Sequence, residues 1–158
     1  MIRILTIVAL VAFAAPAVAA EQPVDPYVQS NANAGAAPFG DGGLLAQFHG
    51  AAGVGRIVDD LLDGVTKDPR TAEIFKATDM ERLRRTLNEQ LVYLLGGKAD
   101  YTGRDMKTAH KNQGVQQTDF NILVEYLQGA MDHEKVPFRA QNRLLAKLAP
   151  MQRDVVVR

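Results

Sequence analysis

The sequence contains no cysteine, which removes disulfides, thiolate metal sites, cysteine nucleophiles and a lipid-anchored N-terminal cysteine from consideration. It also lacks an excess of either charge: 18 Lys and Arg balance 18 Asp and Glu over 158 residues. Without a net field, bulk electrostatics will not recruit nucleic acid or an anionic membrane surface. No stretch of useful length alternates apolar and polar residues, so strands are not expected. The Gly-x-Gly within residues 50–55 opens a helix with no strand before it, which argues against a phosphate loop. Asp59, Asp60 and Asp63 fall on a polar helix face and suggest no paired-carboxylate catalysis.

What is present begins with a leader-like start. Arg3 supplies a short positive region, residues 4–15 are apolar, and Ala17-Val18-Ala19 and Val18-Ala19-Ala20 offer small residues at a cleavage position, the pattern of a secretory signal. Pro16 and the shortness of the apolar run count against a membrane anchor, which needs ~20 such residues. The expectation is a periplasmic or secreted protein with no stable membrane span once residues 1–20 are removed. Residues 21–43 carry prolines at 23, 26 and 38 together with glycines at 35, 40, 42 and 43. Such a composition is expected to stay unordered on its own, and it reads as a flexible linker. Residues 44–158 form the folded unit.

That unit reads as all-α, because apolar residues recur at spacings of three and four. The first long helix carries Val54, Ile57, Val58, Leu61, Leu62 and Val65, and is stopped at Asp68-Pro69 because the residue before proline disfavours helix. A short piece bears Ile74 and Phe75. Thr78 and Asp79 are candidate caps for a helix with Met80, Leu83, Leu87, Leu91, Leu94 and Leu95 along one stripe, ended by Gly96-Gly97. Between Gly97 and Gly114 the periodicity lapses, leaving a loop with one or two helical turns leading to His110. A helix over residues 117–134 and a last one bent at Pro150 complete the chain.

His110 is the chemically pointed residue, because it follows a glycine-broken helix and has Met106 one turn before it. A neutral imidazole is the commonest protein metal ligand, and one held among apolar side chains is how a haem iron is gripped from its proximal side. His133, near a helix C-terminus, reads as a favourable charge there, and His49, beside Gly50, as a turn residue.

Several features taken in order resemble the truncated haemoglobins of group I, small globins built as two helices over two. They are Phe48-His49-Gly50, Val58-Asp59-Asp60, Asp68-Pro69, Phe75, Met80, Leu94-Leu95-Gly96-Gly97, Tyr101-Thr102-Gly103, Met106, His110, Phe120 and Val136-Pro137. The resemblance implies haem b as cofactor, His110 as its proximal iron ligand, and Phe75 against the haem face. It also implies Met80, Leu83, Leu87, Tyr101, Met106 and Leu127 around the haem, with Arg84, Arg85, Tyr101 and Lys107 as candidates for its propionates.

The departures carry the functional reading. Where the family has a phenylalanine-tyrosine pair on the first long helix, this chain has Leu61-Leu62, and the next two distal positions are Leu83 and Leu87. A leucine pocket gives no hydrogen bond to a polarised ligand such as dioxygen, a loss of about 1.5–3 kcal/mol, or about 10- to 100-fold in affinity. It also lacks the distal acid or base that peroxide chemistry needs. Reversible binding of a diatomic gas (O2, NO or CO) follows, and sustained use of ferrous iron would call for a reductase. Two other readings stand beside it: a haem-dependent redox enzyme acting on nitric oxide or peroxide, and a globin-shaped interaction module that has lost haem.

Overall fold

The computed structural model describes residues 20–40 and 43–156. The signal-peptide reading falls on residues 1–20, of which 1–19 lie outside the described residues. Among the described residues eight α-helices follow one another: α1 Gly43–Gln47, α2 Gly50–Lys67, α3 Ala72–Phe75, α4 Met80–Leu94, α5 Met106–His110, α6 Gln117–His133, α7 Phe138–Leu148 and α8 Gln152–Val155. There is no strand among the described residues, and none of their helices is long and apolar enough to cross a membrane.

The chain stops and restarts its helices where local chemistry requires. Asp68 takes an extended conformation after α2 (φ −75°, ψ 119°), as a residue before proline should. Its carboxylate accepts from the backbone N–H of Arg70 and from the Arg70 guanidinium, while Thr71 donates its hydroxyl to Val65 O at 2.6 Å. Asp79 then caps α4 by accepting from the Arg82 backbone N–H at 3.1 Å. At the far end Gly96 adopts φ 85°, a left-handed value suited to glycine. A Cβ on Gly97 would fall 2.6 Å from side-chain atoms of both Leu45 and Val92. Pro150 lies in a 3-10 turn, Ala149–Met151, between α7 and α8, so the last helix is interrupted there.

Helix α2 is the axis of the molecule. Its apolar residues Val54, Ile57, Val58, Leu61, Leu62 and Val65 are all buried and pack between α4 and α6, while α6 packs on α7. This is the two-over-two helical sandwich. Phe48, Leu44, Met131 and Leu144 close the core around α2.

Residues 20–40, within the stretch expected from composition to be a flexible linker, lie against the helices. Ala34 is fully buried at the end of a 3-10 turn, Asn31–Ala34, begun by Ser30. Phe39 N donates to Leu94 O at 2.9 Å, and the Phe39 ring lies under Arg143 and Lys147. Of residues 20–40 Ala34 alone is buried. The segment is held instead by polar side chains and backbone groups of the folded body, which offset its ordering entropy.

Candidate functional site

Helices α2 to α6 leave a cleft between them rather than meeting. Leu62 and Val65 come from α2, Phe75 from α3, Leu83 and Leu87 from α4, Tyr101 from the loop, Met106 and His110 from α5, and Phe120 and Leu123 from α6. The cleft has a cavity volume of about 180 Å³, below the ~300–1,000 Å³ usual for a ligand cleft. A second apolar cavity shares Leu87, Met106 and His110 with it and extends inward to Leu61, Leu91 and Leu127.

His110 reaches the cleft at the end of α5. Asp105 starts that helix by accepting from the Thr108 backbone N–H at 2.9 Å, and this bond and its neighbours hold the Asp105 carboxyl below the ordinary aspartate range. His110 Nδ1 lies 2.7 Å from Met106 O. A carbonyl oxygen can only accept, so Nδ1 is the protonated nitrogen. In the neutral imidazole this leaves the Nε2 lone pair free, which is the usual preparation of a histidine for a metal. No cluster of three or more His, Asp or Glu capable of holding a bare metal ion exists among the described residues.

Of the residues singled out from sequence, Phe75, Leu83, Leu87, Tyr101, Met106 and His110 meet in one cleft. Leu127 faces the inner cavity. Met80 is among the lining residues of neither; it packs against the core at the first residue of α4. Among the propionate candidates, Arg84 pairs with Asp59 at 2.9 Å, Arg85 is engaged by Glu21, Glu89 and Thr102, and Lys107 is exposed. Tyr101 donates its hydroxyl to Arg104 O at 2.9 Å, and burial pushes its pKa up to about 12, so the phenol stays neutral. His49 takes a left-handed φ of 59° before α2 and meets Glu134 at 2.9 Å; His133 pairs with Asp60 at 2.7 Å.

Sequence reasoning missed Gln90. It is buried, lines both cavities, and donates through Nε2 to Ala34 O at 2.9 Å. Its place on the stripe was legible, since position 90 is three residues after Leu87 and seven after Leu83, on the same helix face, but its role was not. Its partner, Ala34, lies in the segment read as a linker.

The family model of the bacterial-like globins matches residues 46–157, so the chain belongs to that family. It is 37% identical over 86 residues to the group 1 truncated hemoglobin LI410 of Chlamydomonas moewusii, covering 53% of this chain and 50% of that relative. The chain thus spans half the length of that relative. To the group 1 truncated hemoglobin GlbN of Mycolicibacterium paratuberculosis it is 27% identical over 99 residues, covering 63% of this chain and 73% of the relative. Among solved structures, the truncated hemoglobin of Tetrahymena pyriformis in its Fe(III) form superposes with a TM-score of 0.68 at 25% identity, over 72% of this chain and 97% of the other. The 2/2 hemoglobin of Synechococcus, in the cyanomet state with covalently attached heme, superposes with a TM-score of 0.66 at 25% identity, over 73% of this chain and 98% of the other.

Proposed function

We propose that this globin binds haem b through His110 and reversibly takes up a diatomic gas, O2, NO or CO, beside the leucines of α2 and α4, in the periplasm or outside the cell. The observation that carries this is the imidazole at the cleft, with Nδ1 committed to Met106 O and Nε2 available. The lining fits a flat, largely apolar macrocycle, since side chains such as Phe75, Leu83, Leu87 and Met106 dominate it, as in most cofactor sites. Arg82 and Arg104, at the outer recess, have the charge to meet carboxylates. Bound haem would supply an iron with a coordination position open to a gas.

The chain's own residues then decide what is done with that position. Leu62, Leu83 and Leu87 exclude water and give no proton donor. The threonine hydroxyls of the lining are turned back on the backbone, Thr86 donating to Arg82 O at 2.9 Å, Thr71 to Val65 O at 2.6 Å and Thr78 to Ile74 O at 3.4 Å. Gln90 commits its amide N–H to Ala34 O. A site of this kind favours binding and release over acid–base chemistry. The test is absorbance of the purified chain and of His110→Ala in ferric, ferrous and CO-treated forms. The wild type is expected to take up haem and to shift its Soret band on reduction and again with CO, and the variant to lose the five-coordinate ferrous signature. A chain that cannot be loaded with haem refutes the reading.

A further inference from the structure

The residues before the globin match are built into the mouth of the cleft. Residues 20–40 precede the matched span of 46–157, yet Gln22, Pro23, Val24 and Tyr27 wall an outer recess. Its other wall includes Leu83, Thr86, Tyr101 and Ala109, which also line the inner cleft. On this side Gln22, Pro23, Val24 and Tyr27 stand beside the way from the inner cleft to solvent.

The two ends of this segment are fastened differently. At one end Glu21 accepts from Arg85 Nε and Nη2 at 2.5 and 2.9 Å and from Arg82 Nε at 3.3 Å. Gln22 N donates to Asp79 Oδ2 at 2.6 Å. These are partly exposed polar contacts, which water and salt can replace. At the other end Asn31 Oδ1 accepts from Tyr101 N at 2.6 Å, Ala34 O accepts from Gln90 inside the fold, and Ala34 is fully buried. Gly35 follows with φ 86°. Between the ends, Tyr27 donates its hydroxyl to Thr102 O at 2.8 Å, and Arg104 lies 5.0 Å from the centre of its ring.

We propose that residues 21–30 are a hinged cover over the cleft, anchored at residues 31–35 and latched by Glu21 on Arg82 and Arg85, whose opening sets the rate at which a cofactor-sized apolar ligand enters and leaves. The identity of that ligand as haem rests on the function proposed above; the cover itself does not. Lifting the latch removes Glu21 from Arg82 and Arg85, Arg85 keeping Glu89 and Thr102 and Arg82 keeping Asp79 nearby, so a ligand bearing carboxylates meets less neutralised cations at the moment of passage.

The experiment compares the full chain with Glu21→Lys, which sets a third cation against Arg82 and Arg85, and with Val28→Ala, a change at a residue 84% exposed. Two rates are read: entry of an apolar fluorescent dye into the haem-free protein, and transfer of haem from the loaded protein to excess apoglobin. Glu21→Lys is expected to raise both about tenfold, the loss of roughly one charge-assisted contact. Val28→Ala should leave both as they are, and added salt should speed the wild type more than the Lys variant. If dye entry accelerates but haem cannot be loaded, the cover stands and the haem reading fails. Dye entry and haem transfer unchanged in Glu21→Lys overturn the cover, whatever the cleft binds.

Discussion

Helix α2 and the pair α3 and α5 come from one chain, yet they are folded in opposite ways. Seven residues of α2 are buried, and its apolar face meets α4 and α6 directly. Neither α3 nor α5 has a single buried residue, although Phe75, Met106 and His110 are apolar or weakly polar. The first region satisfies its hydrophobic surface within the protein; the second leaves such surface facing a cleft. A helix of four or five residues is too short to persist by itself, so α5 depends on its cap at Asp105 and both depend on the bodies they flank. Stability is concentrated at α2, and binding surface at the less buried pair.

This contrast can be broken most strongly in the core. Leu144 has no exposed surface, and Leu144→Ala should cost about 2–5 kcal/mol through lost transfer energy and a new cavity. Leu83→Ala, at a wall that already borders open space, should cost about 1 kcal/mol in the cofactor-free protein. Urea unfolding of the two variants measures the difference, and equal losses would mean that the cleft is closed in solution. The second largest effect is expected from Leu83→Gln, which places an amide in the leucine wall. Dioxygen release from the loaded protein should slow about 10- to 100-fold, the equivalent of about 1.5–3 kcal/mol, as read by stopped-flow.

Smaller changes sharpen the comparison. Asp105→Ala removes the cap of α5 and should cost about 1 kcal/mol, with amide exchange accelerated around His110 and unchanged in α2. Acid should act at the rims of the core. Arg56, then His49, holds Glu134 down to about 2, and Arg70 does the same for Asp68. Because the folded-state values lie below the ordinary ones, the unfolded chain binds more protons in between. The stabilisation is therefore complete above the ordinary carboxylate range and is lost as pH falls through it towards about 2. Urea midpoints should fall over that window, with a shallower dependence in Glu134→Gln.

Much of this organisation was legible because it is local or periodic. The stripe of α2, the stop at Asp68-Pro69, the cap at Asp79 and the break at Gly96-Gly97 each follow from backbone preference or a repeat of three and four residues. The gathering of Phe75, Leu83, Leu87, Met106 and His110 was reached through resemblance, since no spacing states that three separate helices converge. Gln90 went unread because a polar residue on an apolar stripe is interpretable only when its partner is known. That partner, Ala34 O, lies 56 residues away.

By itself, the sequence determined the helices, their ends and the apolar faces they must bury, because these depend on neighbours within a turn or two. Tertiary structure alone decided that residues 20–40 are part of the fold. Their order comes from Glu21 on Arg82 and Arg85, Tyr27 on Thr102 and Ala34 on Gln90. Composition counts only what a segment can bury with its own side chains; these contacts supply partners from elsewhere in the chain, and their energy becomes available only after the helices have assembled.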